Sequence, residues 1–386
     1  KLENSFPYLQ KLEICNYMKR IGLVTWFGGS NYGTSLQAFA LNYVILKLGA
    51  ECFLMKKCLT WRNVARLILI RIKRNKLQNI QNGLHPQKER KIKQFKKLHF
   101  KSFPQRIGII GRALFKRDVS TLDCVVAGSD QIWNPYYTEP YFLLQDINIL
   151  KYSYASSIGV EEFPTNKIKL YQNTLSKYEK ISSREETAIN ILEKLSGKKV
   201  FKVLDPTFLL SANEWNSFAE EKTLENFNTN SPYILCYFIA ENSSYLKNLK
   251  RIQERAKIHR IVILPMKPSH FIIDGEIIED AGLQDFIYLI NHANLICTDS
   301  FHASAISINL NKNFVTFLRF KSNDKSSQNS RIENLLFHYC LHDRLYIDEK
   351  DLNKDFITPI DYKRTNLILQ KDREDSFAYL KDIVNN

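Results

Sequence analysis

Apolar residues fall along this chain in two alternating patterns: short unbroken runs, and longer stretches in which they return every three or four positions. The first pattern reads as a buried strand and the second as an amphipathic helix. Ile21–Trp26 is a run of the first kind; a glycine-containing loop follows, then the helical pattern Ser35–Gly49 with Gly49 as its C-cap, then the strand Cys52–Met55. Asp123–Ala127 and Tyr152–Ala155 read as further strands. Ile181–Ser183 leads to a helix over Arg184–Leu195 and a strand over Lys199–Leu204. After the polar segment 224–232 the rhythm restarts with Tyr233–Ile239, a helix over Leu246–Lys257, and the strands Ile261–Leu264, Leu295–Cys297 and Phe314–Phe317. Leu283–Ala293 reads as a helix between them, and Arg364–Ile383 as a final amphipathic one.

Strand-then-helix order repeated in two blocks predicts an α/β protein of two Rossmann-like domains, each with a parallel sheet, facing a cleft. The expected division is an extension over residues 1–17, a first domain over 18–223 carrying a basic insertion at 56–117, a linker at 224–232, and a second domain over 233–386. The terminal helix would close the second domain or cross back onto the first. Met18-Lys19-Arg20-Ile21 looks like a natural start running straight into the first strand, which is why 1–17 is read as an extension.

A chain of 386 residues suffices for two ordinary domains. No apolar run approaches the ~20 residues needed to span a bilayer, and Lys1–Phe6 lacks the continuous apolar core of a signal peptide. Seven cysteines, an odd number without a CxxC pair, stand at 15, 52, 58, 124, 236, 297 and 340. That usage fits a reduced, cytoplasmic protein with neither a disulfide framework nor a zinc site.

The net charge of +15 is local: nineteen Lys or Arg and a single acid, Glu89, lie between Lys56 and Arg117, a balance of +18 that leaves −3 for the rest. Within this stretch Trp61, Arg62, Arg66, Arg71 and Arg74 mix with aliphatics at helical spacing. One reading is an interfacial helix that sinks its aliphatics among lipid headgroups and holds its cations to anionic lipid. The other is a helix packed on its domain with a solvated basic face. Nucleic acid is the weakest partner, since no recognised module accompanies the charge.

Candidate chemistry gathers in loops that follow strands. Thr298-Asp299-Ser300-Phe301-His302 ends a strand and opens a helix, with Ser300 placed to cap it and His302 in its first turn as a proton carrier beside unpaired N–H groups. The loop Phe27–Thr34 opens the first helix; its glycines admit a close ligand, but it is neither a Walker loop nor a dinucleotide fingerprint. Gly128–Pro135 follows another strand, where Asp130, Trp133 and Asn134 suit a sugar. Arg184 at a strand end suits a carboxylate. The polar stretch 321–331 offers Lys325 and Arg331 on a lid over an anion.

Taken in order, Asn31-Tyr32-Gly33 with Leu36-Gln37-Ala38, Gly128–Asn134, Ser153–Gly159, Ser183-Arg184-Glu185, Asp205-Pro206-Thr207, Thr298–His302 and Asn329-Ser330-Arg331-Ile332 resemble the polysaccharide pyruvyl transferase family, from about Met18 to Leu341. The resemblance implies a glycosyltransferase-B-like architecture and transfer of the enolpyruvyl unit of phosphoenolpyruvate onto two hydroxyls of one sugar, with release of phosphate. It matches Arg184 to an arginine that grips the donor and His302 to a catalytic histidine. Members often carry a second donor-binding arginine two positions before that histidine, where this chain has Ser300; Arg331, Lys325 and Arg319 are the cations at hand to replace it.

On this reading His302 is the acid and Asp130 the base, the donor lies against Arg184, Ser300, Phe301, Lys325 and Arg331, and the acceptor against Asn31, Tyr32, Trp133 and Asn134. No cofactor or metal is required beyond phosphoenolpyruvate as substrate. The acceptor would belong to a lipid-linked precursor of a cell-surface glycan, made by a cytoplasmic enzyme at the membrane's inner face. Two other readings stay open: a glycosyltransferase of the same architecture using a nucleotide sugar, and a non-catalytic scaffold on the membrane.

Overall fold

The computed structural model describes residues 18–73, 85–225, 227–320, 328–347 and 349–386. Strands β1 (Arg20–Val24), β2 (Glu51–Leu54), β3 (Lys101–Ser102), β4 (Cys124–Ala127) and β5 (Leu150–Ser153) form one sheet in the order β3-β2-β1-β4-β5, parallel throughout. A parallel pair, β6 (Ile181–Ser183) and β7 (Val200–Lys202), continues it: Ser153 N donates to Lys180 O at 3.1 Å and Ser156 N to Ser182 O at 3.2 Å. The second sheet runs β10-β9-β8-β11-β12-β13, again parallel, from β8 (Tyr233–Tyr237), β9 (Arg260–Ile263), β10 (Glu276–Ile277), β11 (Leu295–Thr298), β12 (Phe314–Phe317) and β13 (Leu345–Tyr346). Every residue of β4, β8, β11 and β12 is buried, as expected for strands with helices over both faces.

The strand order in each sheet reverses beside its first strand, between β1 and β4 and between β8 and β11. Carboxyl ends flanking such a reversal diverge and leave a crevice for ligands. The helices that start there are α1 (Tyr32–Lys47), capped by Asn31 Oδ1 on Gly33 N, and a later helix over Phe301–Asn309, capped by Ser300. Both are buried along nearly their whole length, so each is held on all sides.

One apolar cluster crosses between the sheets, joining Leu36 and Phe39 of α1 with Phe208, Trp215, Phe286 and Ile306. None of the described side chains of helix α2 (Trp61–Lys73) belongs to it, whereas α3 (Pro86–His99) leans on the second sheet's side, where Lys91 pairs with Asp280 and Asp285 at 3.2 and 3.4 Å. The segment expected as a linker starts at that point, with Thr223 N 2.5 Å and Leu224 N 3.1 Å from Asp285 Oδ1. The terminal helix over Lys363–Asn385 lies against the first sheet: Tyr379 Oη donates to Ser153 O at 2.8 Å, and Lys19 Nζ to Ile383 O at 2.7 Å.

Most expected elements lie within a few residues of the observed ones. The stretch read as a basic insertion is partly integral, because its Lys101–Ser102 pairs with Phe53–Leu54 as an edge strand. The first helix begins at Tyr32 rather than Ser35, and the helix after β6 at Glu186 rather than Arg184. That difference leaves Arg184 in the turn between strand and helix. Residues 1–17, Lys325 and Arg74 fall outside the described residues.

Candidate active site

Four chain segments converge at the carboxyl ends of the strands. Arg184, immediately after β6, has its side chain 2% exposed and lies among three carboxylates. Its Nη1 donates to Asp205 Oδ2 at 2.5 Å, its Nη2 to Asp130 Oδ1 at 3.2 Å and its Nε to Glu185 Oε1 at 3.1 Å. His302 completes the cluster from the second sheet, with Nε2 3.5 Å from Arg184 Nη1 and 3.6 Å from Asp205 Oδ2. Asp205 is itself fixed by Thr207, whose backbone N and Oγ1 donate to Oδ1 at 3.0 and 2.7 Å.

Asp130 sits in the left-handed region at φ 69°, a conformation that costs about 1–3 kcal/mol in a residue other than glycine and persists only where its surroundings enforce it. Here its own Oδ1 accepts from Gln131 N at 2.9 Å and its carbonyl accepts from Ser157 N at 2.9 Å.

Burial by itself raises the Asp130 carboxyl, but the charges of His302, Arg184 and Arg331 outweigh it and hold the group below its ordinary value. The same contest, decided by His302 and Arg184, puts Asp205 further down. For Arg184, burial opposes the charge while Asp205, Glu185 and Asp130 more than restore it.

Arg331 is different in kind. Among the described residues no carboxylate lies within ion-pair distance of it; its partners are neutral, Gln328 Oε1 at 2.9 Å and the Gln131 carboxamide, which with its oxygen turned inward lies 2.7 Å from Nη1. Burial first, and repulsion from Arg184 second, lower it to about 10, so it stays charged at neutral pH. The ring of Phe301 is close to both guanidinium groups, its centre 4.6 Å from that of Arg184 and 5.8 Å from that of Arg331. Arg184, Glu185, Asp205, Phe301 and Arg331 form one wall of a cavity of about 760 Å³, which runs on past Phe208, His338 and Asp372. Glu185 Oε2 is buried in that wall without a hydrogen-bond partner.

The structure therefore brings together Arg184, His302, Asp130, Phe301 and Arg331. Arg331 stands in the first turn of the helix Asn329–His338 and not in an open loop. Arg319 is engaged elsewhere, donating to Asp299 O at 2.9 Å. Ser300 has no exposed surface; its hydroxyl accepts from Ala303 N at 3.4 Å, so in this conformation it serves as a helix cap.

The acceptor residues expected from sequence are packing residues in this conformation. Trp133 is fully buried, its Nε1 donating to Phe142 O at 3.1 Å, and Asn134 Oδ1 accepts from Tyr136 N within a turn. Tyr32 stacks on Phe286 at 4.5 Å and donates to Ala281 O. Asn31 remains half-buried as the cap of α1, also accepting from Tyr237 Oη at 3.2 Å. Asp130, expected as the base, pairs with Arg184 at 3.2 Å and is held below its ordinary value, which weakens it as a proton acceptor.

Sequence reading missed Asp205 and Glu185 as members of the site. Asp-Pro-Thr looks like turn chemistry, and Glu185 beside Glu186 looks like a solvated helix start. On the distant basic stretch, Trp61, Arg62 and Arg66 are exposed, and Arg71 lies in the same helix.

A family described as polysaccharide pyruvyl transferase matches residues 31–319, a span that takes in every member of the cluster except Arg331. No curated protein sequence matches the chain. Among solved structures it is similar to a UDP-GlcNAc 2-epimerase from Neisseria meningitidis, at 14% identity over 96% of this chain and 100% of that one, with a TM-score of 0.46. A glycosyltransferase from Rickettsia africae gives 12% identity over 96% and 100%, with a TM-score of 0.48. MurG from Acinetobacter baumannii gives 10% over 95% and 99%, with a TM-score of 0.43. Likeness of this order says nothing about substrate.

Proposed function

Because the chain belongs to the polysaccharide pyruvyl transferase family, we propose that it moves the enolpyruvyl group of phosphoenolpyruvate onto two hydroxyls of one sugar in a lipid-linked glycan precursor. The observation that carries this reading is the meeting of His302 with Arg184, which shares the wall of one cavity with Arg331, a guanidinium that pairs with no carboxylate among the described residues. A small trianionic donor needs a cation that is not already neutralised, and Arg331 is that cation. Arg184, committed to three carboxylates, acts mainly by fixing Asp205 and Asp130 and by adding its field to the phosphate's surroundings.

As the acid, His302 gives a proton from Nε2, the ring nitrogen facing the cluster, to the methylene carbon of the donor, making an oxocarbenium-like centre at C2. A sugar hydroxyl attacks that centre and its proton passes to Glu185 Oε2. The C2–O bond to phosphate then breaks, the second hydroxyl closes the ring, and its proton leaves on the phosphate. The proton on Glu185 returns to His302, so one donor and one diol give one cyclic ketal and one phosphate.

The test is incubation of the purified chain with phosphoenolpyruvate and candidate glycolipids. Phosphate release that depends on the acceptor is the expected result. Release of a nucleotide from nucleotide sugars, without use of phosphoenolpyruvate, would overturn the donor assignment.

A further inference from the structure

We infer that the start of α2, together with a second basic helix over Gly108–Val119, forms a docking face for an anionic lipid surface. The two helix starts are fastened to each other. Leu59 and Ile107 pair as a parallel bridge, Leu59 N donates to Arg106 O at 2.9 Å, and Gly108 N donates to Leu59 O at 2.8 Å. Gly108, at φ +71°, lies so close under the Trp61 indole that an added Cβ would stand 2.7 Å from Nε1. The pair is thus one surface unit and not two separate helices.

That unit exposes large apolar side chains that a monomeric protein ordinarily covers. Trp61 is 70% exposed, Ile68 53%, Leu69 57%, Ile109 92% and Ile110 77%. On α2 the spacing of Trp61, Val64, Ala65 and Ile68 makes an apolar stripe, and Arg62 and Arg66 flank it one turn apart. The second helix adds exposed Arg112, Lys116 and Arg117 beside its isoleucines, while its one acid, Asp118, is held by Arg106 at 2.7 Å. No acidic residue occurs in the sequence from Cys52 to Lys88 or from Arg90 to Arg117, and among the described residues no carboxylate lies within ion-pair distance of Arg62, Arg66, Arg112, Lys116 or Arg117.

Charge selects among occupants. A second copy would bring like charge against like across a two-fold contact, and nucleic acid would leave Ile109 and Ile110 in water. An anionic bilayer satisfies both components, taking the apolar side chains below the headgroups while Arg and Lys stems extend along them to phosphate. Among the described residues no helix is long and apolar enough to cross the membrane, so the face lies on the surface. This inference supports a lipid-linked acceptor but does not rest on the transfer reaction.

The experiment is flotation of the full chain with vesicles of phosphatidylcholine alone and of phosphatidylcholine mixed with phosphatidylglycerol, with Trp fluorescence read in parallel. The full chain should float with the anionic vesicles, at least tenfold more than with neutral ones, and show a blue shift. I68S/I109S/I110S should abolish flotation, and Arg62→Gln with Arg66→Gln should weaken it by tenfold or more, all with unchanged melting temperature and unchanged turnover on a soluble acceptor. No flotation, equal flotation with neutral vesicles, or full flotation of the triple variant would overturn the proposal. A wild-type dimer that the triple variant dissolves would overturn it too. Loss of transfer activity with flotation intact would count against the reaction and leave the docking face standing.

Discussion

Gly33 and His302 are in contact: a Cβ added to Gly33 would stand 2.4 Å from Cγ of the imidazole. Through that contact the first turn of the helix after β1 and the first turn of the helix after β11 press on each other, one from each sheet. The imidazole is held between a glycine on one side and Asp205 with Arg184 on the other, so its position depends on both sheets at once.

Gly33→Ala should therefore act on catalysis through His302. Overpacking at a close contact costs ~1–3 kcal/mol, and the backbone on either side is too well buried to yield fully. A fall in turnover of tenfold or more, with a modest drop in melting temperature, is expected. Wild-type turnover in the alanine variant would show that the imidazole can move freely and is not set by this contact.

His302→Gln keeps a polar group of similar reach but removes the transferable proton. Loss of a positioned general acid lowers turnover by ~10²–10⁴-fold. The Michaelis constant for phosphoenolpyruvate should change only a few-fold, since the donor's anionic groups are held elsewhere. Steady-state kinetics at saturating acceptor decide it, and turnover within threefold of wild type would remove His302 from the proton path.

The two buried arginines should separate cleanly. Among the described residues the hydrogen-bond partners of Arg331 are neutral, and a hydrogen bond to a charged group is worth ~1.5–3 kcal/mol, so Arg331→Gln should raise the donor's Michaelis constant ~10- to 100-fold with no loss of stability. Arg184→Lys should instead lower the melting temperature, because an ammonium cannot satisfy three carboxylates at once and an unpaired buried charge costs ~3–5 kcal/mol. Calorimetry beside kinetics tests both. A stable Arg184→Lys with only a raised Michaelis constant would make Arg184 the donor's direct partner.

Asp205→Asn addresses the cluster through pH. The folded state holds this carboxyl below its ordinary value, through His302 and Arg184 acting against burial, so its contribution is present above the unfolded value of ~3.9 and is lost as pH falls towards the lowered one. The stability gap between wild type and variant should be full at pH 7 and shrink progressively below about pH 4. Urea unfolding at a series of pH values reads it, and a gap that stays constant to pH 3 would mean the carboxylate contributes by shape alone.

What the sequence disclosed about this site follows from which interactions are local. Ser300 was legible as a helix start because capping is decided within three residues, and Arg184 and His302 each stand at a strand end that pattern alone marks, whereas the cap at Asn31 was not read. Asp205 lies 21 residues beyond Arg184 and joins it only because β6 and β7 pair in register. Trp133 was misjudged for the converse reason: an aromatic in a polar turn resembles a sugar platform, and only packing with Tyr178 and the rest of its cluster shows it to be core. Strands of two residues, such as Lys101–Ser102, carry no period to detect.

Lys88 yields the last prediction. It is 1% exposed on α3, with Nζ 3.9 Å from the centre of the Tyr32 ring and 3.8 Å from Met266 Sδ, and no described carboxylate lies within ion-pair distance. Burial lowers it from 10.5 to about 7. The unfolded chain thus binds more protons than the folded one between those values, so this group makes stability rise as pH increases from about 7 towards 10.5 and imposes its full cost below 7. Lys88→Met keeps the length of the side chain and removes the charge. It should raise the melting temperature most at or below pH 7, with the advantage fading above pH 9, when wild type and variant are melted side by side across that range. An advantage that does not vary with pH would mean the ammonium is charged and adequately held by the Tyr32 face, and that its burial carries no proton-linked cost.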